Sequence, residues 1–498
     1  MRRAAAAAAV LTASVAVTLT PLTSSAAAPY KGANTAVVQD DFNGDGYRDL
    51  AVGAPYAANG GVEENGSVVV LYGGSGSGVN VTRRAVITQA TPGVPGDAEA
   101  WDHFGSAVTS ADLDRDGYAD LIVGASDETV GTKDSRGAVT VVWGGPTGLK
   151  GGASLTVPAG YGDGRTYCGF GMSLATADMN GDGNPELAVG SRCEAATYTG
   201  PFTRTGKAAG TVRDDFFGET RGVVAGDTDG DGLAELYWLP GPSDDDLRGS
   251  VYVYKGARGP NAVPATNRPT ELPYADGHAG AIGDINGDGY GDLVTGISYD
   301  DSMSGGPAGW ARPGGEIQVL YGSPQGITAD QKPKVYHQDT AGVPGAAENG
   351  DRFGQSLSIG DVNGDRYADV LVGVPSEAVG SRKLAGTAVL LRGSATGLTT
   401  ADAAAYTQDT AGVPGAVETG DQFGAAVHLA DLNKDGKAET VVGVPTENSD
   451  GCVWVARGSA SGPVLSGSVN VSGKSVGIGV RNVKGYFGAA LPGPHVEL

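Results

Sequence analysis

Aspartate and asparagine side chains recur at one fixed spacing seven times along this 498-residue chain. The segment Asp112-Leu113-Asp114-Arg115-Asp116-Gly117-Tyr118-Ala119-Asp120 sets the pattern, with oxygen-bearing side chains at positions 1, 3, 5 and 9 and a turn residue at position 6. In chain order the seven sets are Asp41, Asn43, Asp45 and Asp49; Asp112, Asp114, Asp116 and Asp120; Asp178, Asn180, Asp182 and Glu186; Asp227, Asp229, Asp231 and Glu235; Asp284, Asn286, Asp288 and Asp292; Asp361, Asn363, Asp365 and Asp369; and Asp431, Asn433, Asp435 and Glu439. A hard cation such as Ca2+ takes about six to eight oxygen ligands, and a tight loop can turn several carboxylates and one backbone carbonyl onto it. These residues are candidate metal ligands, and Ca2+ is the expected cofactor.

An EF-hand begins in the same way but needs a bidentate Glu at position 12 and an exit helix. Position 12 is instead Val52, Val123, Val189, Trp238, Thr295, Val372 and Val442. Position 9 leads into a short apolar run such as Leu50-Ala51-Val52, ended by Gly in six of the seven copies. Such a run reads as a buried strand, so each loop joins two strands.

The elements that must hold these loops are set by their spacing. Successive first aspartates are 71, 66, 49, 57, 77 and 70 residues apart, enough for about four strands and their turns, the content of one propeller blade. The 84 glycines, about 17 per cent against a usual ~7, supply turns for many short strands. Three linkers are near copies, beginning at Gln89, Gln338 and Gln408 and running through Gly-Val-Pro-Gly to a Phe-Gly pair, so internal duplication built the chain.

Met1-Arg2-Arg3, an Ala/Val/Leu run and the small residues Ser25-Ala26-Ala27-Ala28 read as a signal peptide over residues 1–28. No other apolar stretch approaches the ~20 residues needed to span a bilayer, so no transmembrane segment is expected and the chain reads as secreted or extracellular, with surface association left open. The net charge of −23 argues against a nucleic-acid partner. Of the 57 acidic residues, 23 lie in the seven loops, where cations could neutralise them.

Phe104-Gly105, eight residues before a loop, and Gly53-Ala54-Pro55 after one resemble the FG-GAP repeat of integrin alpha-subunit propellers. Further pairs stand at Phe170-Gly171, Phe217-Gly218, Phe353-Gly354 and Phe423-Gly424, with Ala279-Gly280 in the fifth repeat. The resemblance covers roughly residues 33 to 490. It implies an all-β, seven-bladed β-propeller over residues 29–498, with calcium in the hairpins between first and second strands, on an adhesive or ligand-binding protein. The phenylalanines are expected to be core residues of the inner strands. Glu at position 9 in copies three, four and seven, and Arg366 at the turn position of copy six, point to weaker sites there; copies one, two and five are intact.

In an antiparallel meander the calcium loops share a face with the third-to-fourth strand connections. The opposite face then collects Tyr56, Trp101, His103 and the Ser298–Gly315 loop with Trp310 and Arg312, a candidate binding surface. Catalysis finds little support: there is no His-Glu-x-x-His or Gly-x-Ser-x-Gly, and His103, His278, His337, His428 and His495 share no ligand spacing. The repeats leave no room for a catalytic domain, although FG-GAP repeats also accompany phospholipase-like enzymes. The reading is an extracellular adhesion or recognition module for a protein or glycan ligand; a hydrolase (esterase or phospholipase-like) with its site on the propeller face and a structural envelope protein are the alternatives.

Two further expectations concern the ends and the cysteines. Tyr486-Phe487-Gly488 has no loop after it and the first loop has no Phe-Gly before it, so the termini should share a blade, the C-terminal piece lying beside Thr35 to Gln39. Cys168 and Cys193 sit at the distal ends of the strands joined by the third loop and should pair in an exported protein, leaving Cys452 as a buried apolar residue.

Overall fold

The structure, a computed structural model, describes residues 39–214, 218–241, 249–259, 268–299, 312–478 and 486–493. The expected leader, Thr35 to Val38, Phe217, Trp310 and His495 lie outside the described residues.

Alternating runs of valine, leucine and alanine punctuated by glycine build 27 described strands in seven antiparallel sheets, arranged as the blades of a propeller. Blade 2 shows the plan, with strands Phe104–Ala111, Asp120–Ala125, Ala138–Val142 and Ala153–Ser154 hydrogen-bonded in that order. First strands of successive blades pack side by side around the ring. Middle strands are buried throughout, as in Leu50–Ala54 and Glu316–Leu320, because each blade is covered on both faces by its neighbours. Outer strands such as Gly78–Ile87 expose most of their middle residues.

The Phe-Gly and Gly-Ala-Pro signatures meet between blades. Phe104, Phe170, Phe353, Phe423 and Phe487 are essentially inaccessible, as expected of core residues. A Cβ added to Gly124 would stand 2.1 Å from the carbonyl oxygen of Gly171 in the next blade, and one on Gly373 would stand 2.1 Å from that of Gly424. Real Cβ atoms do not approach that closely, so the glycine ending each valine run is required by the backbone of the next blade.

Register corrects the assignment of two repeats. Ala279 pairs with Gly296 as Ala107 pairs with Gly124, so the Phe-Gly place of blade 5 is taken by Asp276-Gly277, not Ala279-Gly280. By the same register Gly222 pairs with Leu239, which puts Glu219-Thr220 at that place in blade 4 rather than the residues around Gly218. Neither substitute is Phe-Gly; Trp238 packs in the core shared by blades 3 and 4 and Tyr237 in the core shared by blades 4 and 5.

The C-terminal segment closes the ring. Ala490 pairs with Gly53, whose N–H donates to the Ala490 carbonyl at 2.8 Å, and the Gly488 N–H donates to the Gly53 carbonyl at 3.2 Å. Phe487 and Leu491 join a core with Leu50, Val52, Val441 and Val453 from the first and last blades. Phe487–Leu491 therefore lies against Leu50–Ala54, at the start of the innermost strand position of blade 1. The Cys168–Cys193 disulfide is formed, with Cα atoms 5.0 Å apart, and Cys452 is free and buried.

Candidate functional site

Each acidic loop is held by its own side chains. In the first, Asp41 Oδ1 accepts the N–H groups of Gly44 and Asp45 and Oδ2 that of Gly46, at 2.7, 3.1 and 2.8 Å. Asn43 Oδ1 accepts the Asp45 N–H and Asp45 Oδ1 the Tyr47 N–H. Asp residues favour such turns because the short carboxylate reaches the backbone two residues on. The same bonds recur in the loops starting at Asp284 and Asp361.

Position 9 sits beneath the loop as a buried staple. Asp120 accepts the Leu113 N–H and, from the end of the third strand, the Gly144 N–H, both at 2.9 Å. Asp49, Asp292 and Asp369 make the equivalent pair of bonds. Burial, opposed by those backbone donors, pushes Asp49 and Asp120 up to about 8 and Asp369, which also pairs with Arg392, to about 6. A cation beside these carboxylates would favour their charged form.

The loops form a continuous ring on one face. In five of the loops the N–H at position 8 donates to the position 1 carbonyl of the preceding loop, as Ala119 to Asp41 and Ala368 to Asp284, whereas the third loop has Pro185 there and no N–H to give. Tyr118, Tyr290 and Tyr367 each lie over the position 4 glycine of the loop before. The third-to-fourth strand connections share this face, since Gly145 donates to Phe42.

Two loops bring three carboxylates together, with oxygens within 4.8 Å of one another: Asp112, Asp114 and Asp116, and Asp227, Asp229 and Glu235. The second group shows that Glu at position 9 does not by itself disperse the cluster. In loops three and seven, Glu186 and Glu439 instead accept a hydrogen bond from the position 3 amides of Asn180 and Asn433. Arg366 adopts φ 77°, the strained turn conformation expected of it, and its N–H still reaches Asp361. An all-oxygen donor set in loops held open by their own amides fits a hard cation. Positions 1, 3, 5 and 9 are the residues that would hold it.

Basic residues that the loop spacing did not announce complete this face. Arg204, from blade 3, pairs with Asp114 at 2.6 Å and with Asp116; Arg83 pairs with Asp45 at 2.6 Å and Lys255 with Asp229 at 3.4 Å. Arg204 is 88 residues from Asp116, so no local pattern could reveal it. A second unforeseen feature did have a signal. Gln89, Gln338 and Gln408 each donate to a glutamate 39 residues on, Glu128, Glu377 and Glu447, fastening every duplicated linker to the next blade.

On the opposite face Tyr56 stacks between His103 and Tyr486, with centroids 4.7 and 4.8 Å away. His103 bonds Asp127 at 2.7 Å and Glu64 at 3.3 Å, so Tyr56 and His103 are packing and pairing residues at a blade seam. Arg312 pairs with Glu316 at 2.8 Å. Trp101 and Tyr167 stay exposed, at 53 and 62 per cent, three residues before Phe104 and Phe170. Both have positive φ, 74° and 58°, where Gly350 and Gly420 hold the same place before Phe353 and Phe423.

A model of the FG-GAP repeat matches residues 33–71, 104–142, 170–200, 353–391 and 423–456. Phosphatidylinositol-glycan-specific phospholipase D of Bos taurus is 26% identical over 441 residues, 85% of this chain and 44% of that protein. Integrin alpha-5 of Xenopus laevis is 32% identical over 157 residues, 30% of this chain and 14% of its own length. This chain spans less than half the length of these relatives. An exotype rhamnogalacturonan lyase structure aligns over 88% of this chain and 76% of its own at 14% identity and a TM-score of 0.37, too distant to bear on function. The unmatched stretch between residues 201 and 352 contains the blades whose Phe-Gly place holds other residues. The chain carries FG-GAP repeats and folds as a seven-bladed β-propeller similar to the N-terminal domain of integrin alpha subunits.

Proposed function

We propose that this is an exported, calcium-stabilised propeller that recognises an extracellular protein or glycan through the face opposite its acidic loops. The observation that carries the reading is the pair Trp101 and Tyr167. Holding an L-residue in the left-handed region costs about 1–2 kcal/mol, and the other two duplicated linkers, those from Gln338 and Gln408, avoid that cost with Gly350 and Gly420. Strain kept at two exposed aromatics on neighbouring blades points to contact with a partner. Calcium in the opposite loops keeps the hairpins closed and the blades in register. No helix among the described residues is long and apolar enough to cross a membrane.

An array of glycans and matrix proteins, probed in millimolar Ca2+, tests this. A ligand should appear, and the Trp101→Ala/Tyr167→Ala protein should bind it about 30-fold more weakly, the loss of a ~2 kcal/mol hot spot. An empty array, or equal binding by the double variant, overturns the reading.

The phospholipase D relatives favour a second reading, a hydrolase (esterase or phospholipase-like) with its site on the propeller face, acting on phosphatidylinositol-glycan lipids. Release of a glycan-anchored reporter from vesicles by the purified protein would support it, and absence of turnover would remove it.

A further inference from the structure

The first strands of the blades enclose a central channel of about 250 Å³, lined by residues of all seven blades. Its lining has two sides. Blades 1, 2, 6 and 7 contribute Gln39, Arg48, Thr109, Ser358 and His428; blades 4 to 6 contribute an aliphatic wall that includes Val224, Ile282 and Ile359. Thr109, Ile282 and Ile359 are only half-buried, so they face open space inside the ring.

The polar side is built and has donors and acceptors to spare. Asp40 takes Arg48 at 2.7 Å on one oxygen and the Ser110 hydroxyl on the other, so each oxygen already holds a donor. Ser358 Oγ accepts the Leu429 N–H, which leaves its hydroxyl hydrogen to donate. Burial and then the Arg48 charge hold His428 down to about 4, so its ring is neutral and, with one nitrogen bonded to the Pro492 backbone, keeps one for an acceptor role.

We infer that this channel binds one neutral polyhydroxyl ring, a single sugar residue or a cyclitol of that size. Charge argues against ions: an anion on Arg48 would lie beside Asp40, and a cation on Asp40 would lie beside Arg48. Hydroxyl groups both donate and accept, which suits Ser358 and His428 together, and the C–H face of such a ring suits the valine and isoleucine wall. The volume is a little under the ~300 Å³ at which ordinary ligand pockets begin, room for one ring and not for a chain. This site is separate from the rim aromatics.

Saturation-transfer NMR and calorimetry on the full chain, in millimolar Ca2+, test it with the methyl glycosides of glucose, galactose, mannose, N-acetylglucosamine and rhamnose, and with myo-inositol. At least one should bind saturably. Ala281→Phe, which fills the channel from its apolar side, should weaken that binding at least about tenfold, and Thr109→Val, which removes a hydroxyl while keeping the shape, about threefold to tenfold. Should Ala281→Phe fail to fold, Thr109→Val alone decides. No saturable binding up to ~10 mM, well above a millimolar dissociation constant, overturns the inference, as does binding unchanged in the folded variants. A rim ligand found on the array should bind Ala281→Phe as it binds the native protein, so failure of the two readings is seen separately.

Discussion

Replacing Phe487 with Ala tests whether the ring is closed by the C-terminal segment. The side chain is fully buried among Leu50, Val52, Val441 and Val453, residues of blades 1 and 7 that no covalent connection brings together. Truncating a buried Phe removes its transfer free energy and leaves a cavity, about 3–5 kcal/mol. At about 2 cal/mol/K per residue over roughly 400 folded residues, the unfolding entropy is about 0.8 kcal/mol/K, so the Tm should fall by about 4–6 °C. Phe104→Ala, at the equivalent place between blades 1 and 2, supplies the comparison, and calorimetry of native and variant proteins reads both. Truncation after residue 485 should lower the Tm further, since it also removes the bonds between Gly53 and the segment Gly488–Ala490. A Phe487→Ala protein melting within about 1 °C of native, while Phe104→Ala loses the full amount, would show that the C-terminal segment is an appendix and the closure argument wrong.

Chelation of calcium should lower the Tm steeply. A site at a hundred times its dissociation constant contributes about 2.7 kcal/mol, or about 3 °C on the entropy above, and Mg2+ should restore little of it because it demands a tighter octahedron; identical melts in chelator and in millimolar Ca2+ would refute metal binding. Asp116→Ala and Asp288→Ala should each remove part of that response, read as a smaller calcium-dependent rise in Tm. Burial draws the His103 pKa down, but its bonds to Asp127 and Glu64 outweigh this and raise it; its stabilisation is therefore full below about 6.5 and lost as pH rises through the higher folded value. His103→Gln should flatten stability against pH in that window, and an unchanged slope in urea titrations would count against the pairing. Reducing Cys168–Cys193, 25 residues apart, should cost about 3.5 kcal/mol in the chain-entropy model, lowering the Tm by about 4 °C in a melt with and without reductant.

The repeat, its length and its strand–loop–strand order were legible in the sequence because they are local. Asp and Asn at positions 1, 3 and 5 fold a loop by bonding their own backbone, and a valine run ended by glycine declares a buried strand against a neighbouring chain. The pairing of Cys168 with Cys193 was legible for the same reason, since one hairpin carries both. Where the signature lapses, local reading slipped: only cross-strand register shows that Asp276-Gly277, not Ala279-Gly280, stands where Phe-Gly does elsewhere. Tertiary structure alone decided what lies far apart along the chain. Arg204 meets Asp114 and Asp116 because blade 3 packs beside blade 2, and Asp40, Arg48 and His428 share a channel because the ring closes. Closure is a global condition on seven blades, so sequence spacing carries no trace of which polar side chains it gathers at the axis.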